Sequence, residues 1–219
     1  PVKLVITNYP EGKSETVTVE NNPTDPASGT HEITFSRECW IEADDFMEVP
    51  VPKYKRLTPG GLECRLKGAY LITCTGCKKD ENGNVVEVYA EYDPNSPGGD
   101  PADGRKVKGA TIHWVDAATA LDAEVRVYSE LFSDAAPDGA DKDFLACMNP
   151  DSLEVLSGCK VEPRMRDIAA AYDKTEKKGK TAPGFQFMRL GYFCLDNKDC
   201  TAEHLVFNRS VTLKDSFKK

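Results

Sequence analysis

Apolar and polar residues alternate over short stretches along much of the chain, which is the pattern of half-buried β-strands. Near the start, three stretches rich in β-branched residues follow one another with polar turns between them: VKLVIT, ETVTVE and HEITF. In ECRLKGAYLIT, the side chains of Cys64 and Leu66 are predicted to point one way, and those of Arg65 and Lys67 the other. The first third of the chain is therefore predicted to consist of strands.

The stretch KKDENGNVVEVYAEY predicts a β-hairpin, because Asn82 and Gly83 can adopt the positive φ that a tight turn needs. A loop rich in Pro, Gly and Asp follows, over residues 93–107. Strand patterns then resume: ATIHWV, AEVRVYSELF, FQFMRLGYFCL and LVFNRSVTL. Helical patterns are few, at residues 141–148 and in RMRDIAAAY, and residues 173–184 have the composition of a charged loop. This pattern predicts an all-β fold of two β-barrels, with short helices in the connections.

The composition is that of a soluble globular protein, since 40% of the 219 residues are hydrophobic and 29% are charged. No apolar run approaches the roughly 18 residues that a membrane helix needs. The first residues, PVKLVITNYP, do not have the pattern of a signal peptide. We therefore expect a cytoplasmic protein with no membrane partner. Because the sequence does not begin with Met, we expect a processed chain or a fragment.

Eight cysteines are present, and most lie in apolar strand-like stretches, where a free thiol packs as a small hydrophobe. We therefore predict reduced thiols, although disulfide bonds would be expected in a secreted protein. Cys74 and Cys77 form a CxxC motif without a second pair at zinc spacing, and only three histidines exist. No metal site is predicted.

The sequence contains none of the common nucleotide-binding or hydrolytic motifs: GxxxxGK[ST], GxGxxG after a strand, GxSxG and HExxH. It does contain a cluster of cations. Residues 53–67, KYKRLTPGGLECRLK, hold five cationic side chains and one acid in a chain of net charge −8. Lysines on an edge strand can simply prevent sheets from aggregating. A negatively charged partner is the alternative explanation, and it would make this segment a binding surface.

Five stretches occur in a characteristic order and spacing: YKRL, DPADGRKVKG, IHWVDAATAL, GYFCLD and FNRSVTLKD. Together they closely resemble the C-terminal anticodon-binding region of bacterial glutaminyl-tRNA synthetases, and the likeness covers nearly the whole chain. The glutamyl-tRNA synthetases of eukaryotes and archaea carry a related region. The stretch DPADGRKVKGATIHWVDAATAL is nearer to the bacterial glutaminyl form.

This resemblance implies two β-barrels similar to the fold of the ribosomal protein that binds 5S rRNA. Residues 1–107 plus 205–219 would form a proximal barrel, and residues 108–204 a distal barrel. A catalytic domain that uses ATP and Mg²⁺ would lie upstream and would be a partner of these barrels. The full-length protein would then be a glutamine–tRNA ligase, whereas this chain alone would have no catalytic residue and no cofactor.

The resemblance also implies which residues recognise the anticodon loop of glutamine tRNA. By matching motif, the residues that contact bases are Lys55 and Arg56 in YKRL, Arg65 in ECRL, and Gln186 in FQF with Arg189 close by. Arg56 would contact the third base, a guanine; Arg65 the first base; and Gln186 the central uracil, with Arg189 close by. Lys53 and Lys67 would bind the RNA backbone.

The side-chain chemistry agrees with these roles. A guanidinium group offers a planar fork of donors that matches two acceptors on a base or phosphate. A glutamine amide offers one donor and one acceptor, as the edge of an unstacked uracil requires, and unstacked loops are where proteins recognise RNA sequence. Two other classes remain open: a stand-alone RNA-binding β-barrel protein, and a secreted, disulfide-bonded β-sandwich that acts as a binding module.

Overall fold

A computed structural model describes residues 1–139, 141–175 and 182–213. The chain divides into two compact units, Pro1–Ala120 and Leu121–Lys219. Each unit has its own main sheet and its own hydrophobic core. Strands dominate both units, which confirms the predicted all-β class. The likeness to the 5S rRNA-binding ribosomal protein stays a prediction.

The first unit is built on a seven-stranded sheet and a separate hairpin. Its strands are β1 (Val2–Ile6), β2 (Ser14–Glu20), β3 (Thr30–Ser36), β4 (Glu38–Ile41), β5 (Cys64–Leu66), β6 (Leu71–Lys79), β7 (Val85–Tyr92), β8 (Thr111–Ile112) and β9 (Val115–Asp116). The sheet order is β8-β5-β6-β7-β1-β4-β9, and β2 pairs with β3. Short 3-10 turns lie in the connections at Pro26–Ser28, Ala43–Asp45 and Pro97–Gly99.

This sheet curls because its two edges are joined by a very short connection. Strands β8 and β9 occupy opposite edges, yet only His113 and Trp114 separate them in the chain. Two intervening residues can span at most about 11 Å between the strand ends. The edges of the sheet must therefore lie close together, as in a barrel.

The core of the first unit is a cluster of edge-to-face aromatic rings. Phe35, on the β2–β3 hairpin, lies 5.1 Å from both Tyr9 and Trp114, measured between ring centroids. The hydroxyls of Tyr9 and Tyr70 both donate to Glu15, at 2.7 and 2.9 Å. The hairpin is thus fixed over the sheet by ring packing and by a shared carboxylate acceptor.

The stretch predicted as one alternating strand is interrupted by a tight turn. Cys64 and Leu66 are fully buried, as predicted, but the chain turns at Lys67–Tyr70 before β6 begins. Gly68 has φ of +72°, and a Cβ there would lie 2.8 Å from Val19 Cγ1. Only glycine combines that backbone conformation with such a close approach. The turn gives β5 and β6 an antiparallel pairing.

The second unit has a five-stranded sheet and one helix. Its elements are β10 (Leu121–Tyr128), β11 (Leu153–Val161), α1 (Arg164–Ala171), β12 (Gly184–Phe187), β13 (Gly191–Leu195) and β14 (Leu205–Thr212). The sheet order is β11-β10-β14-β13-β12. The helix predicted in RMRDIAAAY is confirmed, but residues 141–148 form turns instead of a helix. Of the predicted loop 173–184, residues 176–181 lie outside the described part.

The division between the units differs from the predicted one. Strands β8 and β9, which follow residue 107, belong to the first sheet, and β14 belongs to the second. The boundary therefore falls after Ala120, and the prediction that 205–219 completes the first barrel is wrong for residues 205–213. The reason is packing: β14 pairs with β10 and β13, and its Val206 and Phe207 fill the second core. Residues 214–219 lie outside the described part.

Three of the remaining expectations concern thiols, metals and membranes. All eight cysteines are free, which agrees with the predicted reduced thiols. Within the described ranges, no group of three or more His, Cys, Asp or Glu side chains could hold a metal ion. Among those same residues, no helix is both long and apolar enough to cross a lipid bilayer.

We expect the thiols to react in two classes. Burial raises the pKa of Cys64 and of Cys74 from 9.0 to about 11, so the reactive thiolate is roughly a hundredfold scarcer at pH 8. Cys39 and Cys200 are also buried, whereas the other four thiols are partly exposed. With a thiol-reactive chromophore at pH 8, four thiols should react quickly in the folded protein and all eight after unfolding. Fewer than eight in the unfolded protein would reveal a disulfide bond.

Candidate nucleic-acid interface

The segment carrying Lys53, Lys55 and Arg56 is held in place by one buried residue, Leu57. Its side chain is fully buried, its N–H donates to the Asp45 carbonyl at 2.9 Å, and its carbonyl accepts from the Met47 N–H at 3.0 Å. Lys53 and Lys55 precede this anchor and are exposed. The segment is therefore fixed at Leu57, while its lysine side chains extend into water.

Lys53 has a backbone conformation that is unusual for a residue with a side chain. Its φ is +69°, and only Asp141 and Arg189 share a positive φ among the described non-glycine residues. Such a conformation is unfavourable by about 1–2 kcal/mol for an L-residue. Two of these three residues are predicted to contact RNA: Lys53 at the backbone and Arg189 near the central base. Backbone strain of this kind clusters at functional sites.

Arg56 is tied to a buried carboxylate. Asp45 is fully buried, and its Oδ1 lies 3.6 Å from Arg56 Nε, while Arg56 Nη1 donates to the Asp44 carbonyl at 3.0 Å. The Arg56 side chain nevertheless remains 35% exposed. The same Asp44 carbonyl accepts from the Tyr54 hydroxyl at 3.0 Å, and burial raises the pKa of Tyr54 to about 12. Arg56 is thus both a structural partner of Asp45 and a donor at the surface.

Arg65 lies at the centre of β5, where its N–H donates to the Ala110 carbonyl at 3.0 Å. Its side-chain Nε donates to the Gly99 carbonyl at 2.6 Å, and its Nη2 pairs with Asp100 at 3.1 Å. The side chain is 30% exposed. One edge of the guanidinium group is therefore used to hold its position, and the group still reaches the surface.

Sequence reasoning missed two further cations next to the segment of Lys53, Lys55 and Arg56. They are Lys106 and Lys108. Both are exposed, and the backbone places their loop beside the predicted residues, because the Ala110 N–H donates to the Lys55 carbonyl at 2.8 Å. The KxK spacing inside DPADGRKVKG was a usable signal, since alternate lysines in an extended stretch share one side. Within the described structure, no acid pairs with the ammonium group of any of these lysines: Lys53, Lys55, Lys67, Lys106 and Lys108.

In the second unit, Gln186 is exposed on β12 between two aromatic residues that face inward. Phe185 and Phe187 both pack edge-to-face on Phe207, at 5.8 and 5.3 Å between centroids. Strand alternation therefore places Gln186 on the outer face. Tyr192 on β13 stands directly opposite Gln186 in the register and is 46% exposed. Sequence reasoning missed Tyr192, although the alternation in GYFCL was a usable signal.

Arg189 lies in the turn that joins β12 to β13, with φ of +69°. Its Nε and Nη1 are shielded from water, and its side chain interacts within the chain. The Leu190 N–H donates to the Phe187 carbonyl at 2.9 Å and closes the turn. The predicted place of Arg189 beside Gln186 at the central base stays a prediction.

Two regions of the chain match a family of known domains. Residues 1–93 match the family described as tRNA synthetases class I (E and Q), anti-codon binding domain. Residues 111–196 match a second domain with the same description. The two matches lie in the first and second halves of the chain and together cover most of it.

Several relatives are similar along the whole chain. A protein of Clostridioides difficile (strain 630), named Glutamine–tRNA ligase, is 51% identical over 218 residues; the match covers 100% of this chain and 37% of the relative. Proteins of the same name from Bordetella pertussis and Aliivibrio fischeri are 51% and 50% identical, over 35% and 37% of their lengths. The chain spans about a third of the length of the curated relatives it matches.

We expect Arg56→Ala to destabilise the fold, which complicates any binding experiment on this residue. Removing the guanidinium group leaves the Asp45 carboxylate buried without its cation, which costs about 1–3 kcal/mol of unfolding free energy. In an Asp45→Asn background, the same Arg56→Ala change should cost less, because no buried charge remains. Urea unfolding of the wild type, the two single variants and the double variant measures the coupling free energy between Asp45 and Arg56. Equal losses in both backgrounds would show that Asp45 and Arg56 do not interact.

Proposed function

Because the chain belongs to the family of anticodon-binding domains of class I tRNA synthetases (E and Q), we propose that it recognises the anticodon loop of glutamine tRNA. The glutamine specificity rests on the names of the relatives, which are about half identical to this chain. Anticodon recognition requires a surface that attracts phosphates and side chains that discriminate bases.

The cationic surface of the first unit is the observation that supports this proposal most strongly. In a chain of net charge −8, five lysines lie on backbone segments that adjoin β5 and carry no ion pair within the described structure. Local potential, and not net charge, governs the encounter with a charged ligand. We assign Lys53, Lys55 and Lys67 to this surface, together with Lys106 and Lys108, with Lys55 also close to the third base.

The arginines are assigned to bases because their orientation is already restricted. Arg56 is assigned to the third base, a guanine, and Arg65 to the first base. A guanidinium group whose one edge is bound to protein acceptors presents its other donors in a defined direction. Such a group is suited to two acceptors on one base edge.

In the second unit, Gln186 is assigned to the central uracil, and Tyr192 is added as its neighbour. Side chains directly opposite on antiparallel strands lie about 5 Å apart on one face. Tyr192 can therefore offer a surface on which the base that Gln186 contacts can stack. Arg189 is assigned close to the same base, and its Nε and Nη1 are shielded from water in the structure.

The whole protein is proposed to be a cytoplasmic glutamine–tRNA ligase. In that protein, ATP and Mg²⁺ would bind a catalytic domain outside the 219 residues, and this chain would contribute recognition without chemistry. A secreted disulfide-bonded module is disfavoured by the eight free thiols. A stand-alone RNA-binding barrel is disfavoured because relatives align along both units and extend beyond them.

We expect binding to a glutamine anticodon stem-loop to weaken steeply with salt, because each lysine bound at a phosphate releases a counterion. Replacing Lys53, Lys55 and Lys67 by Ala should flatten the logarithmic salt slope by about 0.7–0.9 for each phosphate that the variant no longer neutralises. Replacing Lys106 and Lys108 should flatten it further. Fluorescence anisotropy over a salt series measures the slope.

Lys78→Ala is the matched control for this experiment, because Lys78 already pairs with Glu87 at 3.9 Å on another strand. It should leave the slope unchanged. If removing all five surface lysines had no more effect than removing Lys78, the β5 surface would not be the RNA surface.

Gln186→Ala and Tyr192→Ala should have different effects on recognition of the central base. Gln186→Ala removes a neutral hydrogen-bonding group. It should therefore weaken binding of the loop with a central uracil by about 1–3 kcal/mol, and binding of the loop with a central cytosine by less. Tyr192→Ala removes stacking, which tolerates any base, so both loops should weaken by about 1–3 kcal/mol. Tyr192→Phe keeps the ring and should bind normally. Affinities of both loops at two salt concentrations distinguish these outcomes; an unchanged uracil preference in Gln186→Ala contradicts its assignment.

A further inference from the structure

The loop between β7 and β8 contacts the side chain of Arg65 at two consecutive residues. The Gly99 carbonyl accepts from Arg65 Nε at 2.6 Å, and the Asp100 carboxylate accepts from Nη2 at 3.1 Å. These two nitrogens form one edge of the guanidinium fork. An arginine has five N–H donors, so three remain, two of them on Nη1.

Residue 99 must be glycine for two reasons: its turn conformation and its close contact with Arg65. Its φ is +86°, and a Cβ at this position would lie 2.6 Å from Arg65 Cγ and 2.8 Å from Cδ. Any side chain at residue 99 would therefore displace Arg65. The neighbouring Gly98 has a similar φ of +77°, but no atom lies within 4 Å of its Cβ position. A side chain at residue 98 would therefore strain only the backbone, whereas one at residue 99 would strain the backbone and also collide with Arg65.

The loop is itself fixed to the sheet near Arg65. The hydroxyl of Ser96, which is fully buried, accepts from the Leu71 N–H at 2.9 Å and donates to the Asp93 carbonyl at 2.7 Å. The Gly99 N–H in turn donates to the Ser96 carbonyl at 2.9 Å. The carbonyl that holds Arg65 is therefore positioned by a chain of hydrogen bonds from the start of β6.

Arg105 adds a second attachment, at the far end of the loop. Its guanidinium group binds both oxygens of Glu63, at 3.1 and 2.7 Å, and also Asp93 and Asp103, at 2.7 and 2.9 Å. Glu63 directly precedes β5, two residues before Arg65. The hydrogen bond from the Arg105 guanidinium group lowers the pKa of Asp93, and the hydrogen bond from the Arg105 backbone N–H is the main cause that lowers the pKa of Asp103.

We propose that residues 93–110 are a positioning element for base recognition, in which Gly99 and Asp100 hold one edge of the Arg65 guanidinium group so that its other edge faces the first anticodon base. The inference rests on the proposed function, because it takes Arg65 as the residue at that base. A flexible arginine loses side-chain entropy when it binds, and an arginine fixed beforehand loses less. Gly99 and Asp100 are positioning residues and touch no RNA in this account.

The test compares Gly99→Ala with Gly98→Ala in the full 219-residue chain. Both substitutions place alanine at a positive φ, but only Gly99→Ala collides with Arg65. Asp100→Ala removes one of the two contacts without backbone strain, and Asp100→Asn keeps an acceptor. The measurement is the affinity ratio between a glutamine anticodon stem-loop and the same loop with a purine at the first anticodon position. Thermal unfolding of each variant shows whether it folds.

We expect the wild type to bind the glutamine loop, which has a pyrimidine at the first anticodon position, roughly fivefold to hundredfold more tightly than the loop with a purine there. Arg65→Ala should lose that preference. Gly99→Ala should lose most of it, Asp100→Ala part of it, whereas Gly98→Ala and Asp100→Asn should keep it. If Arg65→Ala loses the preference but Gly99→Ala and Asp100→Ala retain it, the positioning element is refuted and the proposed function stands. If Gly99→Ala does not fold, the Asp100 variants decide: the proposal requires a smaller preference in Asp100→Ala than in Asp100→Asn, and equal preferences refute it. If Arg65→Ala keeps the preference, the assignment of Arg65 to the first base is wrong, and this inference fails with it.

Discussion

The parallel pairing of β5 with β8 is the constraint on which the proposed RNA-binding surface of the first unit depends. Hydrogen bonds from the Arg65 and Lys67 N–H groups to the Ala110 and Ile112 carbonyls, each at 3.0 Å, join the two strands. Gly109 makes the approach possible, since a Cβ there would lie 2.2 Å from the Glu63 carbonyl oxygen. Through this pairing, the backbone segments that carry cations at residues 53–67 and 106–108 lie next to each other. It also curls the sheet, because β8 continues into β9 at the opposite edge.

The charged side chains of this surface divide by chemistry. The arginines are held by carboxylates: Arg56 by Asp45, Arg65 by Asp100, and Arg105 by Glu63, Asp93 and Asp103. The lysines carry no such partner within the described residues, and all of them are exposed except Lys67, which is half-buried. A planar fork is useful for base recognition only when its direction is fixed, whereas a flexible ammonium group attracts phosphates from any direction. Acids that lower the net charge of the chain therefore orient the arginines without neutralising the lysines.

Local features of the fold were predictable from the sequence, and long-range ones were not. Alternation located β1, β2 and β3 and the inward face of β5, because burial on one face of a strand imposes a period of two. The hairpin at Asn82-Gly83 was predicted, although only Gly83 adopts a positive φ. The unit boundary was misplaced, because the pairing of β14 with β10 joins residues far apart in the chain and leaves no local signal. The proposed site residues follow from motif likeness, whereas the contacts of Arg65 with Gly99 and Asp100 depend on the folded loop.

The central claim is that this chain distinguishes the glutamine anticodon and does not merely bind RNA backbone. The most direct measurement is the ratio of dissociation constants for two stem-loops with one stem, one carrying a glutamine anticodon and the other having all three anticodon bases replaced. Phosphate contacts are the same in both, so any difference comes from the bases. With each base contributing about 1–3 kcal/mol, the account predicts a ratio of roughly 100-fold or more. Equal affinities for the two loops would contradict it.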